Sequence, residues 1–270
     1  MRYNIVAICI FLILGAFISS CTEKHEVHKE EIDYSIDEKI FKGYLAYDKL
    51  RKGKRPGILI VHEWWGLNNH VRRRAEMLAE LGYTALAVDM YGDGKQADNF
   101  DEAAMFAQEI SQNPDTRRKR FMAALDVLKQ QETVDENNIA AIGYSFGGNV
   151  VLQMALEGID IDGVVSFHGG LLVTKPEEPG SVRARILILQ GEKDWYVTPQ
   201  MKTGFKTDMD KSETEYKIIT YKEAQHGYTN PEAGPLAEKF KGMRIEYNEE
   251  ADKKSWADMQ EFLKTVFYKL

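Results

Sequence analysis

The chain has 270 residues, 44% hydrophobic and 29% charged, with 21 Gly and 7 Pro, which excludes a disordered or collagen-like protein and suits one large domain. With 35 basic against 42 acidic residues the net charge is −7, so no basic footprint for nucleic acid is present. Two cysteines, Cys9 and Cys21, are too few for a disulfide framework or a cysteine-based zinc site.

Both cysteines lie at the start. Arg2 precedes an apolar run from Ile5 to Ile18, interrupted only by Gly15. As a helix this run spans about 21 Å, short of a hydrocarbon core of about 30 Å. It reads as a signal peptide over residues 1–20 rather than a membrane span. Ile18-Ser19-Ser20-Cys21 resembles the bacterial lipobox, which implies lipid attachment at Cys21 and an exported, membrane-anchored envelope protein. Ordinary cleavage near Ser20 is the simpler alternative. Residues 21–31 are polar and lack any period, as expected of a flexible tether; His25 and His28 within it read as solvated rather than metal-binding.

From residue 32 to 270 the pattern is that of one α/β domain. Glu31 to Tyr47 suits an antiparallel hairpin. Short apolar runs without alternation follow at 57–61, 84–88, 139–142, 164–167 and 185–189, as a parallel sheet covered on both faces requires. Helical stretches lie between them, at about 70–81, 98–111, 115–130 and 147–156. Tyr216 to Tyr221 adds a strand, and Asn248 to Tyr268 a closing amphipathic helix. Strands alternating with helices predict a doubly wound, mostly parallel sheet.

Chemistry-bearing residues cluster where these strands end. Gly143-Tyr144-Ser145-Phe146-Gly147-Gly148 follows one strand and opens a helix, the context of a nucleophile elbow. A serine that merely caps the helix is the competing explanation. A serine nucleophile needs a base and an orienting acid, in the chain order Ser, Asp or Glu, His. Asp194, after strand 185–189, and His226, after strand 216–221, fit that order. His168 ends its strand too early to be the base and is either a pocket or a structural residue. Backbone N–H groups of Trp64, after the strand 57–61, and of Phe146 are the candidate oxyanion donors. His62, Glu63 and His70 do not match a common metal spacing.

Three segments together resemble the dienelactone hydrolase family: Val61 to Asn68 (VHEWWGLN), Gly82 to Gly94 (GYTALAVDMYGDG) and the 143–148 elbow. Asp194 and Gln225-His226-Gly227-Tyr228 match its remaining motifs. The resemblance implies an α/β-hydrolase fold acting on lactones or carboxylic esters, with no metal or organic cofactor. The namesake enzymes use a cysteine nucleophile, paired at rest with a glutamate that matches Glu63; here the nucleophile is Ser145. Glu63 is then an active-site electrostatic group or a loop-bracing acceptor. The namesakes also hold a substrate carboxylate with two arginines, and this chain has Gly92-Asp93-Gly94-Lys95 and Asn230 at those places. Glu63, Trp65, Tyr91, His168, Trp195 and Tyr228 are the expected pocket residues. The expected activity is serine-dependent hydrolysis of a small ester or lactone. A catalytically idle scaffold and an acyltransferase are the alternatives.

Overall fold

The computed structural model describes residues 24–174, 176 and 178–268. The signal-like run 1–20 and Cys21 lie outside the described residues.

Among the described residues eight strands form a single sheet: β1 (Val27–Ile36), β2 (Lys39–Asp48), β3 (Arg55–Val61), β4 (Thr84–Val88), β5 (Val134–Tyr144), β6 (Gly163–Phe167), β7 (Arg185–Gly191) and β8 (Tyr216–Tyr221). Their order across the sheet is β1-β2-β4-β3-β5-β6-β7-β8. The β1–β2 and β2–β4 pairs are antiparallel, and every other pair is parallel. Among the described residues seven helices cover it: α1 (Asn69–Glu80), α2 (Phe100–Ser111), α3 (Pro114–Lys129), α4 (Phe146–Leu156), α5 (Pro199–Lys211), α6 (Ala233–Lys239) and α7 (Glu249–Phe267).

Alternate residues of the central strands divide into two cores. Leu59, Leu86, Ala141 and Val164 face Phe121 and Leu125 of α3 and Val151 of α4. Ile58, Ile60, Ala85 and Ile142 face Val71 and Leu78 of α1 and Met259 of α7. This is why the strand sequences show no polar alternation: each face is covered by helices. Full burial of each such aliphatic side chain stabilises the fold by about 1.5–3 kcal/mol.

The first strand starts earlier than the sequence suggests. Residues 27–31 belong to β1 rather than to a tether, paired in register from Val27 opposite Asp48 to Glu31 opposite Tyr44. Its polar residues find partners nearby: Lys29 Nζ lies 2.8 Å from Glu76 and Arg72 lies 2.7 Å from Glu31. An edge strand with wet side chains needs no apolar alternation, so the pattern carried no signal. His25 Nδ1 lies 3.0 Å from Asp48 Oδ2, and His28 Nε2 lies 3.0 Å from Glu30.

The strand order places the site. The chain runs outward from β3 to β4, then returns to the other side of β3 as β5. The loops leaving β3 and β5 therefore diverge from adjacent strand ends and open a crevice at the switch point, where ligands bind in open α/β sheets.

Candidate active site

Ser145 sits between β5 and α4 with φ 52° and ψ −111°, a left-handed backbone that a serine rarely adopts. The turn is too tight for side chains beside it. A Cβ on Gly143 would stand 2.1 Å from the Gly147 carbonyl oxygen, and one on Gly147 would stand 2.2 Å from that of Val61. Helices α1, α2, α5 and α7 are each capped by the side chain of Asn68, Asn99, Thr198 or Asn248. Ser145 makes no such bond at the start of α4. Its Oγ instead lies 2.7 Å from His226 Nε2. The capping explanation is thereby removed.

His226 follows β8, and its Nδ1 lies 2.9 Å from Asp194 Oδ2. That carboxylate is buried and further fixed: Gln190 Nε2 donates to Oδ2 at 2.6 Å, and the Tyr196 N–H donates to Oδ1 at 3.0 Å. With Asp194 accepting the Nδ1–H, His226 Nε2 is left as a lone pair facing the Ser145 hydroxyl. The three residues at the ends of β5, β7 and β8 form one hydrogen-bonded relay that can draw a proton off Ser145. The backbone N–H groups of Phe146 and Trp64 donate to no acceptor among the described residues, so both are open to a ligand.

The loop after β3 is braced from below. His62 is fully buried; its Nδ1 donates to the Glu63 carbonyl at 2.5 Å and its Nε2 accepts from the Met90 N–H at 3.2 Å. Burial pushes its pKa below the ordinary histidine value. Glu63 Oε2 accepts from Asn230 Nδ2 at 2.7 Å and lies 3.4 Å from His70 Nδ1, an ion-pair distance rather than a well-formed hydrogen bond. Burial opposes ionisation of Glu63, but His70, Asn230 and His226 outweigh it and hold its pKa below the usual carboxylate range. Glu63 is thus both a brace to the 230 loop and a charge at the cavity.

Ser145 and His226 open on a cavity of about 290 Å³. Of the expected pocket residues, Glu63 and Trp65 line it, as does Trp64. Tyr91, His168, Trp195 and Tyr228 do not. Tyr91 turns inward and donates its hydroxyl to the Trp64 carbonyl at 3.0 Å, holding the loop from behind. Tyr228 is fully buried, bonded to the Leu189 carbonyl at 3.1 Å. His168 is fully buried beneath His226, with its Nε2 2.8 Å from Thr229 Oγ1 and its ring centroid 5.2 Å from that of His226. Trp195 is exposed and donates to the Arg244 carbonyl at 3.2 Å.

Other residues take the vacated places. Tyr196 lines the cavity with its ring 4.5 Å from that of His226. Leu236 of α6, Met243 and Ile245 form the apolar wall. Gln190 and Asn230 supply the contacts to Asp194 and Glu63. Only Gln190 had a local signal, a polar residue at a buried strand end four positions before the acid.

Comparison with known proteins identifies the family and the fold. The family model described as "Dienelactone hydrolase family" matches residues 41–267. "Protein usf" of Aquifex pyrophilus is 28% identical over 194 residues, which cover 70% of this chain and 82% of that protein. The solved structure "m3DLH" superposes with a TM-score of 0.84 at 33% identity, covering 89% of this chain and 99% of that one. A dienelactone hydrolase-like promiscuous phosphotriesterase, P91, from metagenomic libraries superposes with a TM-score of 0.81 at 30% identity, again over 89% and 99%.

Proposed function

The chain belongs to the dienelactone hydrolase family of carboxylic-ester hydrolases, and from that premise we propose that it cleaves a small carboxylic ester or lactone through a Ser145–His226–Asp194 triad. The observation that carries this reading is the continuous relay, 2.7 Å from Ser145 to His226 and 2.9 Å from His226 to Asp194, opening on the cavity.

The chemistry proceeds in two steps. Ser145 Oγ attacks the carbonyl carbon while His226 Nε2 takes its proton. Asp194 orients the ring and stabilises the imidazolium that forms. The carbonyl oxygen, now negative, is received by the N–H groups of Trp64 and Phe146; losing one such donor typically costs about 10² to 10³ in rate. The intermediate expels the alkoxide, which takes the proton from His226, and leaves an acyl-serine. Water attacks the acyl-serine with His226 again as base, the acid departs and Ser145 regains its proton. A binding scaffold would have no use for three such residues aligned on separate strand ends.

Release of p-nitrophenol from a short p-nitrophenyl ester tests the assignment. Turnover by the parent protein that disappears in Ser145→Ala supports it. No turnover, or turnover unchanged in that variant, refutes it. From the sequence alone we further propose export and lipid attachment at Cys21, with the enzyme held at a bacterial membrane.

A further inference from the structure

The acyl-transfer steps give Glu63 no task, yet a buried carboxylate carries a large desolvation cost. Glu63 is 6% exposed and lines the cavity. Its Oε2 is engaged by Asn230 and faces His70, while its Oε1 has no partner among the described residues and opens on the cavity.

Its partners leave one oxygen free. Arg74 Nε–H donates to His70 Nε2 at 3.3 Å, which turns the Nδ1–H of that ring toward Glu63 Oε2 and not toward Oε1. The Arg74 guanidinium is matched in turn by Asp252 at 2.6 Å. Among the described residues no lysine or arginine lines the cavity; Trp64, Trp65, Leu236 and Ile245 give it apolar and aromatic walls, with Ser111, Asn149 and Asn230 as its uncharged polar members.

We propose that Glu63 is the specificity-determining group of this cavity. Its free Oε1 presents negative charge to the substrate, which draws a cationic group in and turns anionic esters away. The inference rests on the ester-hydrolase reading. It names the substrate class as small esters that carry a cationic group and no anion.

Three butyryl thioesters with a common acyl group test it: those of thiocholine, of 3,3-dimethylbutanethiol and of 3-mercaptopropanesulfonate, which are cationic, neutral and anionic. Thiol release gives kcat/KM for each. A carboxylate charge near the substrate shifts cation and anion in opposite directions, so the thiocholine-to-sulfonate ratio should be about a hundredfold. In Glu63→Gln it should fall to within about tenfold, and any loss common to all three esters cancels in the ratio. Attraction of a cation to Trp64, Trp65 and Tyr196 would survive that substitution, which separates it from the carboxylate's effect. A parent ratio near one, a preference for the sulfonate, or a ratio unmoved in Glu63→Gln overturns the inference. Calorimetric binding of the same esters to Ser145→Ala gives the answer without turnover: tighter binding of the thiocholine ester supports the inference, and equal binding overturns it. Failure of all three esters to react would instead count against the triad mechanism.

Discussion

Replacing Asp194 by Asn separates two things that an aspartate can do for a histidine. Asp194 Oδ2 accepts from both His226 and Gln190, at 2.9 and 2.6 Å, while Oδ1 accepts from the Tyr196 N–H at 3.0 Å. An asparagine has one oxygen and one amide group. With its oxygen at the Oδ2 place, two of the three bonds survive and a single donor faces the Tyr196 N–H. With the amide turned round, two bonds are lost and His226 Nδ1 faces a donor. The first orientation costs less, so the His226 tautomer should be retained and only the charge removed. A unit charge about 4 Å from the imidazolium is worth about 4 kcal/mol at an effective dielectric of about 20. At about 1.4 kcal/mol per tenfold, kcat should fall roughly a thousandfold. That is milder than the roughly 10⁴-fold loss seen where such a change forces the wrong tautomer. Steady-state hydrolysis of a p-nitrophenyl ester measures the loss, and the downfield proton resonance of Nδ1–H reports the tautomer. A loss under about tenfold would refute the role given to Asp194. A loss near 10⁴ with the resonance gone would refute the orientation argument.

Gly147→Ala places a Cβ 2.2 Å from the Val61 carbonyl oxygen and 2.6 Å from that of His62, backbone atoms that cannot rotate away. Overpacking of this kind costs about 1–3 kcal/mol, which thermal unfolding should read as a Tm lowered by roughly 2–12 °C; an unchanged Tm would refute the close packing. Burial pushes the His62 pKa down and, with the fields of His226, His70 and Arg74 added, holds His168 well below the ordinary 6.5. Each takes its proton less readily in the fold than in the unfolded chain, so stability is fully present above about pH 6.5 and falls below it. The slope should approach about 1.4 kcal/mol per pH unit for the more strongly depressed His168, and urea midpoints between about pH 7 and 5.5 will show it, a flat profile refuting their burial. Cys21→Ser should move the protein from the membrane to the soluble envelope fraction in a bacterial host; unchanged membrane association would refute the lipid anchor.

The parts legible in the sequence were those where local pattern and tertiary role coincide. Thr84–Val88 and Tyr216–Tyr221 are recovered residue for residue. In the first, every residue is covered by helices, so apolar character and strand extent are the same thing. Ser145, Asp194 and His226 were legible for a related reason: the fold sends each one out from a strand end, and strand ends can be located. Helix α5 was missed because Gly204 and a scatter of Lys and Thr blur its apolar face. The cavity wall was missed because α6 and residues 243–245 bear no motif and meet the triad only through folding. Tyr91 and Tyr228 mislead in the opposite sense. Both neighbour site residues in sequence, but their rings fill the core beneath the loops they hold.

The left-handed backbone at Ser145 has a thermodynamic corollary. A non-glycine residue held there costs roughly 1–3 kcal/mol, and with no cap bond from its side chain the start of α4 recovers none of it. Ser145→Gly should therefore melt higher than the parent, whereas Ser145→Ala, which keeps the Cβ, should not. A serine at a position that glycine would hold at lower cost is what the proposed nucleophile requires, and a melting curve can detect that compromise with no substrate in the cuvette.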